Sequence, residues 1–228
     1  MTAPVSVIIP TWQAADRIGP CLGALGEALF EGLIAEVILA DGGSGDGIDR
    51  VADAVGARLV SARKGRGPQL AEGARAARAN WFLFLHADSV LSEGWAEAVK
   101  AHIQAGQDRA GYFRLQFDAQ GIAPRLVAGW ANLRARWLGL PYGDQGLLVP
   151  RALYDQVGGY PEIPLMEDVA IARRLRGRLR PLQADITTSA ERYRREGWLR
   201  RGRRNLWTLV RYLCGVAPER LARDYERR

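Results

Sequence analysis

The sequence has few of the residues and runs that mark several common protein classes. Its 228 residues include only two cysteines, Cys21 and Cys214, which lie too far apart in sequence to form a zinc-ligand pair. We interpret them as reduced thiols, since disulfide frameworks and metal-binding cysteine pairs need more cysteines at closer spacing. No apolar run approaches the roughly 18–20 residues of a membrane span, and the start lacks the basic region of a signal peptide. The sequence therefore predicts a cytoplasmic protein that does not cross a membrane.

Negative charge is scarce at the C-terminal end. The chain has a net charge of +7, and residues 173–228 carry 17 Arg against 6 Asp or Glu. In this tail Leu199, Leu206, Val210 and Leu213 share one helical face, with arginines around it. Two interpretations stay open: a helix that packs on its own domain, or an interfacial helix that rests on the anionic inner face of a membrane. We expect no nucleic-acid partner.

The first half of the sequence alternates between strand and helix patterns. Apolar runs at 5–9, 36–40, 57–62 and 81–85 are typical of strands, and helical patterns separate them, the first over about 16–31. Repeated β-α units predict an α/β fold with a mostly parallel central sheet and helices on both faces. We assign residues 1–190 to this domain and 191–228 to a basic helical tail. The second half predicts a strand at 111–117, a helix over about 122–138 and another from 166.

Polar residues follow the predicted strands at their carboxyl ends. Parallel α/β sheets bind ligands at that edge, so these residues should surround one crevice. The expected donor-binding residues are Pro10, Thr11, Asp41, Gly43, Arg66, Gln69, His86 and Asp88. No G-x-G-x-x-G follows the first strand, which disfavours a dinucleotide-binding domain.

Asp88 is the best candidate for a metal ligand. It comes directly after the apolar run 81–85, where Mg²⁺ or Mn²⁺ bridging its carboxylate to a diphosphate would compensate the buried charge. The alternative is an aspartate that caps the helix predicted near 92–105. His86 is open to three interpretations: metal ligand, ribose contact or structural residue.

Asp41 and Arg66 are candidates for holding a nucleotide. Asp41 precedes the glycine-rich loop DGGSGDG, where Gly43 lets the backbone approach a ligand closely and the carboxylate can accept bonds from a base or ribose. Arg66 and Gln69 flank the start of a predicted helix, where N–H donors and a cation could hold phosphate oxygens. An ordinary glycine turn and an exposed basic loop are the alternatives.

Acidic residues at two later positions suit catalysis and acceptor binding. Glu167 and Asp168 begin a predicted helix, where a carboxylate could remove the proton from an attacking hydroxyl or merely favour the helix dipole. Asp144 and Gln145 lie between two glycines in a loop, which fits either acceptor contact or plain turn chemistry.

The order of several segments resembles a known family. SVIIPTW, VILADGGSGDG, FLFLHADS and GGYPEIPLMEDVAIARRL resemble the family 2 glycosyltransferases, which have the GT-A fold. The segments GRGPQ, HADS, PYGDQG, LMED and TSAERY are similar to the radical-SAM/selenodomain-associated glycosyltransferase subfamily. The resemblance covers nearly the whole chain, and five segments in the right order are more specific than any one alone.

The resemblance implies an inverting, metal-dependent transferase that uses a nucleotide-diphosphate sugar, commonly a UDP-sugar. Asp41 matches the family's base- or ribose-binding aspartate, Asp88 the metal ligand of its D-x-D motif, and Asp168 its catalytic base. Two departures are His86 in place of the first acid of D-x-D, and Trp12-Gln13 in place of a frequent Asn-Glu. The acceptor would be a hydroxyl compound, with a lipid or lipid-linked molecule as one candidate.

Two other functions compete with sugar transfer. A nucleotidyltransferase can share the sheet and metal site, although Glu167 and Asp168 would then have no evident task. The second rival is a catalytically degenerate module that binds membranes, against which Asp41, Asp88 and Asp168 argue.

Overall fold

A computed structural model of the protein describes residues 3–226. Within this range, the strands are β1 (Val5–Thr11), β2 (Ile34–Asp41), β3 (Arg58–Ser61), β4 (Trp81–Phe84), β5 (Ser89–Leu91), β6 (Ala110–Phe117), β7 (Leu147–Pro150) and β8 (Leu179–Thr188). The helices are α1 (Gly19–Gly23), α2 (Gly26–Phe30), α3 (Ile48–Val55), α4 (Arg66–Ala76), α5 (Trp95–Gln104), α6 (Ile122–Leu138), α7 (Arg151–Gln156), α8 (Glu167–Arg174), α9 (Glu191–Glu196), α10 (Trp198–Leu213) and α11 (Pro218–Glu226).

One sheet carries all eight of these strands, and it is mixed rather than mostly parallel. The order is β3-β2-β1-β4-β7-β6-β8-β5. Strands β1 to β4 run parallel, as predicted, but β7 is antiparallel to both β4 and β6, and β5 is antiparallel to β8. The repeated β-α pattern that predicts parallel pairing ends after β4. Later connections are irregular, so they impose no parallel direction.

Apolar side chains cover both faces of the sheet. Along β1, Val5, Val7 and Ile9 belong to one core cluster, while Ile8 belongs to the cluster on the opposite face. All seven residues of β1 are buried, which explains why its sequence shows no alternation. Helices on both faces follow from this burial. The sheet therefore holds the carboxyl ends of β1, β2 and β4 on a rigid edge.

Several predicted elements differ in detail. The helix predicted over 16–31 is divided into α1 and α2, which are separated at Ala24 and Leu25. Helix α4 starts at Arg66, so this arginine opens the helix and does not belong to an exposed basic loop. Strand β5 separates Asp88 from α5, whose N-cap is Gly94, so Asp88 does not cap that helix.

The C-terminal residues form three helices that pack on the rest of the chain. Helix α10 contacts α6, α9 and α11. No helix in the described range is long and apolar enough to cross a bilayer. Cys21 is buried, Cys214 is exposed, and both are free thiols.

Gly67 lies where the loop before α8 crosses the first turn of α4. A Cβ there would lie 2.4 Å from the Pro161 carbonyl oxygen and 2.8 Å from that of Ile163. We expect Gly67→Ala to destabilise the fold by about 1–3 kcal/mol, because these backbone atoms cannot rotate away. Chemical denaturation measures the change.

The matched control is Gly202→Ala in α10. A Cβ at Gly202 would meet no heavy atom within 4 Å. This substitution should be neutral or stabilise by up to about 1 kcal/mol, because alanine has the higher helix propensity. Equal effects of the two substitutions would contradict the close approach at Gly67.

Candidate functional site

A cavity of about 460 Å³ opens at the carboxyl ends of β1, β2 and β4. Its walls come from many separate parts of the sequence, and five of these segments are 65–69, 86–89, 141–146, 165–168 and 188–193. The residues from these segments that line it are Gly65, Arg66, Gln69, His86, Ala87, Asp88, Tyr142, Asp144, Leu165, Met166, Asp168, Thr188, Ser189, Arg192 and Tyr193. Segments far apart in the chain therefore meet at one place.

Asp41 organises the glycine-rich loop after β2. Its Oδ1 accepts hydrogen bonds from the hydroxyls of Thr11 at 3.0 Å and Ser44 at 2.6 Å. Its Oδ2 accepts bonds from the backbone N–H groups of Gly43 at 2.9 Å and Ser44 at 2.7 Å. Burial alone would raise the pKa of Asp41, but these bonds lower it below its ordinary value. The carboxylate is thus held ionised.

The cavity lining does not include Asp41, Thr11 or Gly43, although neighbouring Pro10 and Trp12 belong to it. A base or ribose contact by Asp41 stays a prediction, and it would require the loop to release one of the four bonds described above.

Gln69 forms hydrogen bonds that connect several loops of the site. Its side chain is buried, and Nε2 donates to the carbonyl oxygens of Thr11 at 2.6 Å and Ala40 at 2.8 Å. Its Oε1 accepts a bond from the Gly65 N–H at 3.3 Å. Both N–H hydrogens of the amide are used in these bonds, so Gln69 links the ends of β1 and β2 to the loop after β3.

Arg66 joins two of the predicted site residues. Its Nε lies 2.8 Å from Glu167 Oε1, and its Nη1 lies 3.2 Å from His86 Nε2. Glu167 raises the pKa of Arg66, so the guanidinium stays cationic. Glu167 is buried against Arg66 and does not line the cavity, and its catalytic role stays a prediction. Consecutive helical residues point about 100° apart, which separates Glu167 from Asp168.

His86 is neutral in this environment. Burial, and then the charge of Arg66, lower the pKa of His86 to about 3. A neutral imidazole facing a guanidinium accepts its hydrogen through Nε2 and carries its own proton on Nδ1. In this arrangement Arg66 occupies Nε2, so His86 helps to hold Arg66 in place, and its metal contact stays a prediction.

Asp88 presents a free carboxylate to the cavity. Its side chain is exposed, lines the cavity and has no hydrogen bond or ion pair with any part of the chain that the structure describes. Within the same range, no group of three or more His, Cys, Asp or Glu residues could hold a metal ion by itself. Mg²⁺ commonly binds through one or two carboxylates together with substrate phosphates. A lone, unpaired Asp88 fits such shared coordination.

Asp168 is anchored beside a one-turn 3₁₀ helix at Gly143–Gln145. Its Oδ2 accepts a bond from the Gly143 N–H at 2.9 Å, and its Oδ1 accepts one from the Val169 N–H at 2.7 Å. Met166, the N-cap of α8, has a φ of 69°, a left-handed conformation that is costly for a side chain of this size. This strained turn directs Asp168 into the cavity.

Asp144 carries a buried carboxylate oxygen that lacks a partner. Its Oδ1 has no hydrogen bond within the described residues, and the side chain lines the cavity. Burial raises the pKa of Asp144 to about 6, with Asp168 contributing in the same direction and Arg134 opposing it. An unpaired carboxylate of this kind is costly for the fold and is typical of a ligand-binding position.

Asp144→Asn should stabilise the protein at pH 8. The pKa of Asp144 rises from 3.8 to about 6 on folding. As the pH falls, the folded state therefore takes up a proton at a higher pH than the unfolded state does. The free-energy penalty for burying the charged carboxylate is complete above about pH 6. That penalty is roughly 2–3 kcal/mol, and it disappears as the pH falls toward the unfolded value.

Denaturation curves at pH 8 and pH 4 test this expectation. The variant should exceed the wild type at pH 8 and match it more closely at pH 4. The exposed Asp155 provides a control, Asp155→Asn, which should show no such difference. A less stable Asp144→Asn protein at pH 8 would show that the ionised carboxylate is compensated.

Gln145 lies outside the cavity, contrary to the acceptor contact predicted for it. It is fully buried, and its Oε1 accepts bonds from Arg134 and from the Tyr142 N–H, both at 3.4 Å. Its Nε2 donates to the Phe113 carbonyl at 3.3 Å. Gln145 therefore fixes the turn that carries Asp144.

The C-terminal helices supply one wall of the cavity. Asn205 donates to the Tyr193 hydroxyl at 3.2 Å, and Arg201 donates to the Tyr225 hydroxyl at 3.2 Å. All four side chains line the cavity. None of the four is among the site residues predicted from the sequence. The available signal was TSAERY, which brings Thr188, Ser189, Arg192 and Tyr193 to the cavity.

Comparison with solved structures shows the fold. The S. aureus protein TarS in complex with UDP-GlcNAc has 16% identity and a TM-score of 0.60, over 81% of this chain and 58% of that one. Glucosyl-3-phosphoglycerate synthase from Mycobacterium tuberculosis, in complex with Mn²⁺, UDP and phosphoglyceric acid, has 22% identity and a TM-score of 0.53, over 74% and 62%. Mannosyl-3-phosphoglycerate synthase from Rubrobacter xylanophilus has 16% identity and a TM-score of 0.56, over 86% and 75%.

The chain thus spans less than two thirds of the first two structures. A search of functionally curated proteins found no match. The sequence profile of Glycosyl transferase family 2, in contrast, matches residues 6–136, more than half of the chain. That segment contains β1 to β4, the Asp41 loop, Arg66 and the His86–Asp88 turn. The protein belongs to glycosyl transferase family 2.

Proposed function

We propose that the protein is an inverting glycosyltransferase that moves a sugar from a nucleoside-diphosphate donor, a UDP-sugar, to a hydroxyl acceptor with Mg²⁺ or Mn²⁺. One observation carries the proposal: in a family 2 chain, the carboxylates of Asp88, Asp144 and Asp168 line one cavity at the carboxyl edge of the sheet. The complexes of similar folds with UDP-GlcNAc, and with UDP and Mn²⁺, support this donor class.

The donor would lie along the Trp12–Arg66 side of the cavity. Lys64 Nζ lies 3.5 Å above the centroid of the Trp12 ring, and both residues line the cavity with Arg66. Two cations on one side favour a diphosphate, and the half-exposed indole offers a flat apolar surface to a base or sugar. The Asp41 loop lies behind this side and would hold the nucleoside end.

Asp88 would hold the divalent ion together with the diphosphate. When bound, the ion offsets the negative charge that develops on the leaving group. Arg66, kept in place by Glu167 and His86, adds a fixed positive charge close to it. These residues act on the leaving-group side of the sugar.

Asp168 would act as the base on the acceptor side. The acceptor oxygen forms a bond to the anomeric carbon as the bond to the diphosphate breaks, and its proton passes to the carboxylate. A single displacement of this kind inverts the anomeric centre. The hydrogen bonds from the Gly143 and Val169 N–H groups hold the carboxylate in place for this transfer.

We further propose that Tyr193, Asn205 and Tyr225 form the acceptor wall, which makes segment 191–226 part of the active site. We also propose that the chain belongs to the radical-SAM/selenodomain-associated subfamily. In support, all five segments that carry this resemblance contribute residues to the cavity lining.

Product analysis tests the proposal against its rivals. UDP-glucose, UDP-GlcNAc and GDP-mannose are incubated with the protein and Mn²⁺, and the release of nucleoside diphosphate is followed with and without hydroxyl acceptors. We expect nucleoside diphosphate from one donor. Pyrophosphate released from a nucleoside triphosphate would indicate a nucleotidyltransferase instead, and inertness toward every donor would favour the degenerate module.

A further inference from the structure

Two neighbouring helices expose an unusual amount of apolar surface. Eleven of the sixteen exposed large apolar side chains in the described residues lie on α6 and α10, which pack against each other. On α6 they are Ile122, Leu126, Trp130, Leu133, Trp137 and Leu138, and on α10 they are Leu199, Leu206, Trp207, Val210 and Leu213.

Their spacing makes each set a continuous row. Positions 122, 126, 130, 133 and 137 recur every three or four residues, which aligns them on one face of α6. Positions 206, 210 and 213 do the same on α10, and Leu199 lies on that face two turns before Leu206. The exposed fractions reach 77% for Trp137 and 84% for Leu199, so the described chain leaves these rows uncovered. Exposed apolar side chains that are clustered in this way mark an interaction surface.

Arginines accompany both rows. Arg125 and Arg136 on α6, and Arg200 and Arg203 on α10, are exposed, and none forms an ion pair in the part of the chain that the structure describes. The surrounding segment 173–228 carries 17 Arg against 6 acidic residues. An apolar row beside unpaired arginines, with tryptophans within it, complements an anionic lipid headgroup layer above acyl chains.

Helix α10 presents different faces to two environments. Arg201, Asn205 and Thr208 line the cavity, whereas Leu206, Val210 and Leu213 are exposed to solvent. The inner face is therefore committed to the active site, and the outer face is free for a second partner.

We propose that α6 and α10 form a docking surface for an anionic lipid bilayer, on which the protein rests without crossing it. Lipid binding at this surface does not depend on the reaction proposed for the cavity. Vesicle binding and the release of nucleoside diphosphate are therefore measured separately.

Vesicle flotation with the full chain tests the proposal. Phosphatidylcholine vesicles with and without phosphatidylglycerol are compared at low and high salt. We expect binding to the anionic vesicles, weakened by salt, with a blue shift of tryptophan fluorescence. The double variants Trp130→Gln/Trp137→Gln and Leu206→Gln/Val210→Gln should each bind at least about tenfold more weakly, because each loses two membrane-inserting side chains.

The control is Phe30→Gln/Val55→Gln, which removes two exposed apolar side chains on α2 and α3. It should bind as the wild type does. Absence of wild-type binding to either vesicle, or undiminished binding by both double variants, would overturn the proposal. A dimer in solution that the α6 or α10 substitutions convert to a monomer, without vesicle binding, would assign the surface to a second copy of the chain.

Discussion

Asp168→Asn is expected to lower kcat by about 10²–10⁴-fold while donor affinity changes by less than about threefold. A positioned general base contributes roughly 10²–10⁴-fold to a rate, and the amide cannot accept the proton of the acceptor hydroxyl. The amide oxygen can accept one of the two bonds that the Gly143 and Val169 N–H groups now donate to separate carboxylate oxygens, so the turn should persist in part. Steady-state rates and equilibrium donor binding separate the two effects.

Two further variants make this result specific. Asp155→Asn removes the same charge from an exposed position on α7 and should leave kcat unchanged. Asp144→Asn tests the other carboxylate of the cavity, whose raised pKa would also suit a base. If Asp168→Asn retained turnover and Asp144→Asn abolished it, the base would be Asp144.

Asp88→Ala should remove the metal dependence of donor binding. Affinity for the nucleotide in Mn²⁺ should fall at least about 100-fold, since a shared metal contributes several kcal/mol and each 1.4 kcal/mol is tenfold. The unfolding free energy should not fall, because no hydrogen bond or ion pair to the Asp88 carboxylate occurs within the described residues. Calorimetric titration and denaturation give the two quantities.

Glu93→Ala is the matched control for Asp88. Glu93 is an exposed acid in the turn after β5, and it does not line the cavity. Its removal should leave metal-dependent binding intact. Unchanged Mn²⁺-dependent binding in Asp88→Ala would show that another carboxylate, such as Asp144, holds the ion.

Local sequence patterns predicted the part of the fold that builds the donor side. Strands β1, β2 and β4 are short and apolar, and parallel strands bring their carboxyl ends together whatever the connections contain. Pro10, Arg66, Gln69, His86 and Asp88 therefore meet at one cavity, as predicted. Helix α6 has the predicted bounds of 122–138, because Gly121 and Gly139 delimit it.

Local sequence patterns could not predict in which direction side chains point or in which direction the later strands run. Glu167 and Asp168 are equivalent as acids in the sequence, and only the packing of α8 turns one toward Arg66 and the other toward the cavity. Strand β8 has alternating buried positions at 182, 184, 186 and 188, and this period of two is the signal that indicates a half-exposed strand there. The position of the tail residues in the cavity wall depends on how α10 packs against α6, and this tertiary contact has no local sequence signal.

Calorimetric titration of UDP, GDP and their sugar conjugates, with and without Mn²⁺, tests the central claim most directly. We predict that one nucleotide and its sugar conjugate bind and that Mn²⁺ strengthens this binding. Both the binding and the effect of Mn²⁺ should be the same with and without vesicles. Absence of binding by all of these compounds in the presence of Mn²⁺ would contradict the assignment of the cavity to a nucleotide-sugar donor.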